Sequence, residues 1–127
     1  MTADVDVPVM IVDDQAAFRS AARTVVAVSP GFAVGGEAES GEAAIELAEA
    51  LEDALVLMDI NLGGISGIEA TRRITSAHPG LVVLLMSTYT AEDLPSDAAD
   101  CGAVGYVHKE DLGPDVLRDT WDTHHVN

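Results

Sequence analysis

Five apolar runs alternate with amphipathic stretches from one end of the chain to the other. The runs predict strands at Val7–Val12, Phe32–Ala38, Ala54–Met58, Leu81–Met86 and Ala103–His108. The first, third and fourth are almost continuously apolar, as expected of strands covered on both faces. Apolar residues at helical spacing between them predict helices at Gln15–Val28, Gly41–Glu52, Gly67–His78, Glu92–Cys101 and Pro114–His125. Ser66 stands three residues before Glu69, the spacing of a capping box, and Pro114 suits a first helical turn. Ser29-Pro30-Gly31 and His78-Pro79-Gly80 are stop signals. Pro95, about five residues past the candidate cap Thr90, costs about 3 kcal/mol inside a regular helix, so that fourth helix is expected to be short, kinked or late to start. Strict β–α alternation with right-handed crossovers gives an α/β fold, a doubly wound five-stranded parallel sheet of order 2-1-3-4-5.

Composition narrows the class. A chain of 127 residues, 48% of them apolar, reads as one folded domain over its whole length. The single Cys101 cannot pair internally, which fits a reducing cytosol and a cytoplasmic location. No apolar run approaches the roughly 20 residues that span a bilayer, so no membrane segment is expected. The formal charge of −16 argues against direct nucleic-acid binding and suggests a site that recruits cations.

Charge at the strand ends supplies the chemistry. Asp13 and Asp14 close the first run, Asp59 the third, and Lys109, the sole lysine, the fifth. In a parallel sheet of this order these ends meet in the crevice where such folds bind ligands. Carboxylates about 4 Å apart repel by about 4 kcal/mol at an effective dielectric near 20, so one must be protonated or a cation must bind. An all-oxygen set suits Mg²⁺, which takes one or two carboxylates and fills the rest of its shell with water and phosphate oxygens. That preference points to phosphoryl chemistry. Asp59, alone at a central strand end, is the candidate nucleophile for an aspartyl phosphate; Asp13 and Asp14 are then free to hold the metal. Lys109 offers a point charge to the phosphoryl group, and Ser87 or Thr88, after the fourth run, a hydroxyl. Tyr106 can follow a hydroxyl that moves when phosphate arrives, or act as a fixed half-buried aromatic.

These residues carry a resemblance over essentially the whole chain. Val9-Met10-Ile11-Val12-Asp13-Asp14-Gln15, the stretch Leu57–Ala70 around Asp59, and Gly102–Lys109 resemble the response-regulator receiver domains of two-component signalling, especially the NarL/FixJ branch. The resemblance implies the flavodoxin-like (βα)5 receiver fold, with Asp59 taking phosphate from a histidine kinase or phosphotransfer protein. It implies that Asp14, Asp59 and the main-chain carbonyl of Asn61 bind Mg²⁺, with Asp13 acting through water. Ser87 and Lys109 would contact the phosphoryl oxygens, Ser87 and Tyr106 would form the switch, and Asn61 and Tyr89 would occupy positions that tune dephosphorylation. Output would run through the face of the fourth helix, fifth strand and fifth helix, toward an output protein, a C-terminal effector domain or a second copy in a homodimer. Such a domain assists its own phosphorylation and dephosphorylation without being a conventional enzyme. Relatives of this branch usually continue into a helix-turn-helix, so the chain is expected to be either a single-domain regulator or part of a longer one.

Some positions depart from that pattern. Gly63 stands where a proline is usual, which predicts a more flexible loop. Glu110 replaces the proline that often makes a cis bond after the lysine, which predicts a trans Lys109–Glu110 bond. His108 and Pro95 sit on the expected output side. Plainer roles compete: Asp13, Asp14, Ser87, Thr88 or Thr90 as helix caps, His78 as a helix end, Cys101, Leu117 and Trp121 as core, and Arg72, Arg73, His124 and His125 as surface. Competing functions are a receiver-like interaction module without phosphorylation and an aspartate-nucleophile phosphatase. The phosphatase would place its second acid two residues on, where Gln15 stands after Asp13. A flavin or nucleotide binder would need glycine or hydroxyl residues after the first strand, where two aspartates repel phosphate.

Overall fold

Parallel pairing of the apolar runs produces one five-stranded sheet in the order β2-β1-β3-β4-β5 in the computed structural model, which describes residues 6–88 and 94–125. The strands are β1 (Val7–Val12), β2 (Phe32–Ala38), β3 (Ala54–Asp59), β4 (Leu81–Ser87) and β5 (Gly105–His108). Every residue of β3 and β4 is buried, because helices cover both faces of the sheet. Helices α2 (Gly41–Ala48) and α3 (Gly67–Ala77) pack on the face that presents Met10, Val56, Met58, Val83 and Leu85. Helices α1 (Ala16–Ala27) and α4 (Pro114–His124) pack on the other, over Val9, Ile11, Leu55, Leu57 and Leu84. Leu117, fully buried, anchors α4, and Trp121 packs beside it. Among the described residues, no helix is long and apolar enough to cross a membrane.

Helix starts follow the local chemistry. Ser66 accepts the Glu69 N–H at 3.1 Å and Ser40 the Ala43 N–H at 3.1 Å, each satisfying one donor of a first turn. Helix α2 is shorter than its hydrophobic pattern suggests. The amides of Glu49, Ala50 and Leu51 bond three residues back rather than four, so the chain tightens into a final turn after Ala48. Strand β5 begins at Gly105 rather than Ala103; Val104 is hooked to β4 only through its N–H on the Val83 carbonyl.

The helix expected at Glu92–Cys101 is a correction. Its described part is a 3-10 turn, Ser96–Asp100, with Pro95 as the preceding cap at ψ 146°, which is extended backbone. Proline lacks the N–H that a continuing helix needs, and here it starts the turn instead of interrupting one. Thr90, Tyr89 and Glu92 lie outside the described residues. A second 3-10 turn, Lys109–Asp111, follows β5, and among the described residues no peptide bond is cis, Lys109–Glu110 included.

The loop from β3 to α3 is closely fitted. Gly64 adopts φ +79°, and the Ile65 N–H donates to the Glu42 carboxylate at 3.3 Å, tying the loop to α2. A side chain on Gly67 would place its Cβ 2.0 Å from the Asp59 carbonyl oxygen, whereas one on Gly63 meets nothing within 4 Å. Gly67→Ala should therefore lose about 2–3 kcal/mol of unfolding free energy or fail to fold, because backbone cannot step aside cheaply. Gly63→Ala should change stability by less than about 1 kcal/mol, and toward greater stability. Urea denaturation of the two variants checks the contrast.

Candidate functional site

Register brings the charged residues together. Val12 pairs with Met58, so Asp13 follows level with Asp59 at the end of the neighbouring strand. Asp59 pairs with Met86, and Ser87 with His108, so Thr88 and Lys109 leave the sheet side by side. Carboxylate oxygens of Asp13, Asp14 and Asp59 lie within 4.8 Å of one another. Asp13 and Asp59 are buried and Asp14 is exposed. An open cleft of about 260 Å³ is lined by Asp14, Gln15, Asp59, Asn61, Thr88 and Lys109.

Lys109 reaches this cluster across the sheet. Its Nζ lies 2.5 Å from Asp13 Oδ2 and 3.5 Å from Asp59 Oδ2, and it sits 4.6 Å above the centre of the Phe18 ring. The ring face attracts the ammonium and covers its stem. Asp59 is nevertheless pushed up from 3.8 to about 6: burial disfavours its charge, and Asp13 repels it. The Lys109 ammonium and the Asn61 N–H, which donates to Asp59 Oδ1 at 3.3 Å, only partly offset those effects.

Asp13 is fixed more firmly than a helix cap would be. The cap position of α1 is Gln15, whose side chain makes no capping bond; its N–H donates to Asp13 Oδ1 at 2.8 Å. Arg19 donates to the Asp13 carbonyl at 2.8 Å and pairs with Glu37 at 3.5 Å, and Glu37 also holds Arg23 at 2.8 Å. Phe18, Arg19 and Glu37 carry no cue in the sequence to their part as site supports. Their part depends on how α1 lies over the strand ends, which the period of its apolar face leaves open. Ser87 is buried at the end of β4, and Thr88 is the residue there that lines the cleft. Tyr106 is half-buried, its hydroxyl donating to the Ser87 carbonyl at 3.3 Å. Arg72 and Arg73 pair with Glu69 and Asp97 on the surface, and Cys101 is buried. The acid trio is an oxygen-only donor set able to hold a metal ion.

Known proteins share this fold and sequence pattern. A family model described as "Response regulator receiver domain" matches residues 9–120. The transcriptional regulatory protein DegU of Brevibacillus brevis is 36% identical over 104 residues, covering 82% of this chain and 44% of DegU. Response regulator GacA of Pseudomonas viridiflava is 35% identical over 101 residues, covering 80% of this chain and 47% of GacA. The chain thus spans about half the length of the curated relatives it matches. Among solved structures, the signal receiver domain of the putative response regulator NarL from Mycobacterium tuberculosis superposes with a TM-score of 0.83 at 27% identity, over 94% of this chain and 96% of that one. A LuxR-family two-component response regulator from Aurantimonas superposes with a TM-score of 0.80 at 30% identity, over 94% of this chain and 84% of that one. With the family model matched over most of its length, the chain belongs to the response-regulator receiver domains.

Proposed function

We propose that this receiver domain is a cytoplasmic phosphoacceptor switch: Asp59 takes a phosphoryl group from a phosphohistidine of a kinase or phosphotransfer protein. The observation that carries the reading is the setting of Asp59, a buried carboxylate opening into a cleft between two further acids and a lysine. In the transfer an Asp59 Oδ forms a bond to phosphorus while the phosphorus–nitrogen bond breaks, and the donor imidazole keeps the electron pair. The nucleophile must be ionised, and a group near 6 is mostly so at neutral pH. Lys109 Nζ, already 3.5 Å from Asp59, meets the new charge on the phosphoryl oxygens, and Ser87 donates a hydroxyl from the end of β4.

Mg²⁺ fits the donor set: three carboxylates within 4.8 Å, with a repulsion between Asp13 and Asp59 that a dication relieves. Asp14, Asp59 and the Asn61 carbonyl would hold it, Asp13 through water. Bound there, it supplies the charge that neutralises the acids and accepts phosphoryl oxygens as ligands. The phosphorylated state would be read out through Tyr106 and the surface of the Ser96–Asp100 turn, β5 and α4. A cavity of about 380 Å³ beside Tyr106, lined by Leu85, Leu94, Pro95, Ala98 and Ala103, supports an output face there. Its reader would be an output protein, an effector domain or a second copy of the chain.

Incubation with acetyl phosphate and Mg²⁺ should add one phosphoryl mass to the wild-type chain and none to Asp59→Asn, read by intact mass. No adduct on folded, Mg²⁺-loaded protein would leave the interaction module as the better reading, and steady release of product from many phosphate esters the phosphatase. The raised value of Asp59 also sets a pH dependence without divalent ions. Between about pH 4 and 6 the folded state keeps a proton that the unfolded state has lost, so the destabilisation by Asp59 grows with pH and is complete above 6. Asp59→Asn should therefore gain up to about 3 kcal/mol at pH 7, and the gain should vanish near pH 4. Urea denaturation across pH measures this, and added Mg²⁺ should stabilise the wild type more than the variant.

A further inference from the structure

Two side chains on one face of β5 hold two consecutive carbonyls, the last of β4 and the one that follows it. Tyr106 donates from its hydroxyl to the Ser87 carbonyl at 3.3 Å, and the His108 ring nitrogen Nε2 lies 3.0 Å from the Thr88 carbonyl. Positions i and i+2 of a strand point the same way, so both rings approach the end of β4 from the same side. His108 makes a second contact. Its Nδ1 lies 3.2 Å from the Glu110 N–H, in the 3-10 turn that carries Lys109. A backbone N–H can only donate, so Nδ1 is the acceptor and carries no proton; Nε2 then bears the proton and donates to the Thr88 carbonyl.

The imidazole is thus a brace between two neighbouring segments of the cleft lining. Thr88 and Lys109 both line that cleft, and each is the residue that follows a paired strand end, Ser87 opposite His108. We propose that His108 is a positioning residue for phosphorylation: as the neutral Nε2–H tautomer it holds Thr88 at a fixed distance from Lys109, beside Asp59. The proposal rests on the phosphoacceptor reading above. His108 does not touch the phosphoryl group: its Nε2–H tie to Thr88 does the positioning, because His108 precedes Lys109 in the chain, and the Glu110 N–H serves to set the tautomer.

The two ring nitrogens can be tested separately. An asparagine amide oxygen falls near the place of Nδ1 and a glutamine amide nitrogen near that of Nε2. His108→Asn keeps the acceptor for Glu110 and loses the tie to Thr88, while His108→Gln keeps the tie and loses the acceptor. Phosphorylation by acetyl phosphate with saturating Mg²⁺ is followed by intact mass at several donor concentrations. The maximal rate should fall about fivefold in His108→Asn and His108→Ala, the equivalent of one ordinary hydrogen bond, with the half-saturating donor concentration unchanged. His108→Gln should stay within about twofold of wild type. Nitrogen chemical shifts of the His108 ring in the wild-type protein should report the Nε2–H tautomer. Equal rates in all variants, a His108→Asn rate matching His108→Gln, or the opposite tautomer would overturn the brace. A wild-type chain that takes no phosphate would overturn the phosphoacceptor reading itself, and the positioning role with it.

Discussion

Lys109 is the constraint on which the site depends. Its ammonium lies against two buried carboxylates, 2.5 Å from Asp13 and 3.5 Å from Asp59, and nothing else in the sequence can take its place as a lysine. Buried acids this close repel by several kcal/mol at an effective dielectric near 20, and one cation between two anions leaves a net negative charge. That imbalance is visible at Asp59, where burial and Asp13 outweigh the lysine and hold the group near 6. A dication would relieve that excess of negative charge.

The sheet makes that position possible. Lys109 and Asp13 are 96 residues apart in sequence, and only the order β2-β1-β3-β4-β5 brings the ends of β1 and β5 to opposite sides of β3 and β4. The fully buried β3 and β4 form the rigid centre, and the acids lie where the backbone first leaves it. Gly67 completes the fit. Its missing side chain lets the start of α3 approach the Asp59 backbone, so Asp59 is held from behind while its carboxylate faces the cleft.

Most of this was legible in the sequence because it follows from period and position. Continuous apolar runs gave the strands within a residue or two, and polar residues just past their ends gave Asp13, Asp14, Asp59 and Lys109. The doubly wound sheet followed from strict alternation, and the order expected of the receiver resemblance agrees with the structure. Helix ends were less legible: the amphipathic pattern of α2 continues past Ala48, while its backbone tightens into i−3 hydrogen bonds. Pro95 signalled irregularity before β5 without saying that the described segment would be a 3-10 turn. Supports such as Arg19 under the Asp13 carbonyl were not legible. A helix period says which face is buried, but not which carbonyl a long side chain will reach.

The edge at β5 joins the site to the rest of the surface. Val107 faces the α1–α4 core, while Tyr106 packs on the opposite side of the sheet. The two rings on that side hold the carbonyls of Ser87 and Thr88, so these two residues cannot shift without loading both contacts. One side of Tyr106 faces the cavity of about 380 Å³ beside β5. His108 has less freedom, since its second nitrogen is engaged by the turn that holds Lys109. The two rings are therefore held unequally: the histidine is engaged at both ring nitrogens, while the tyrosine borders open space on one side.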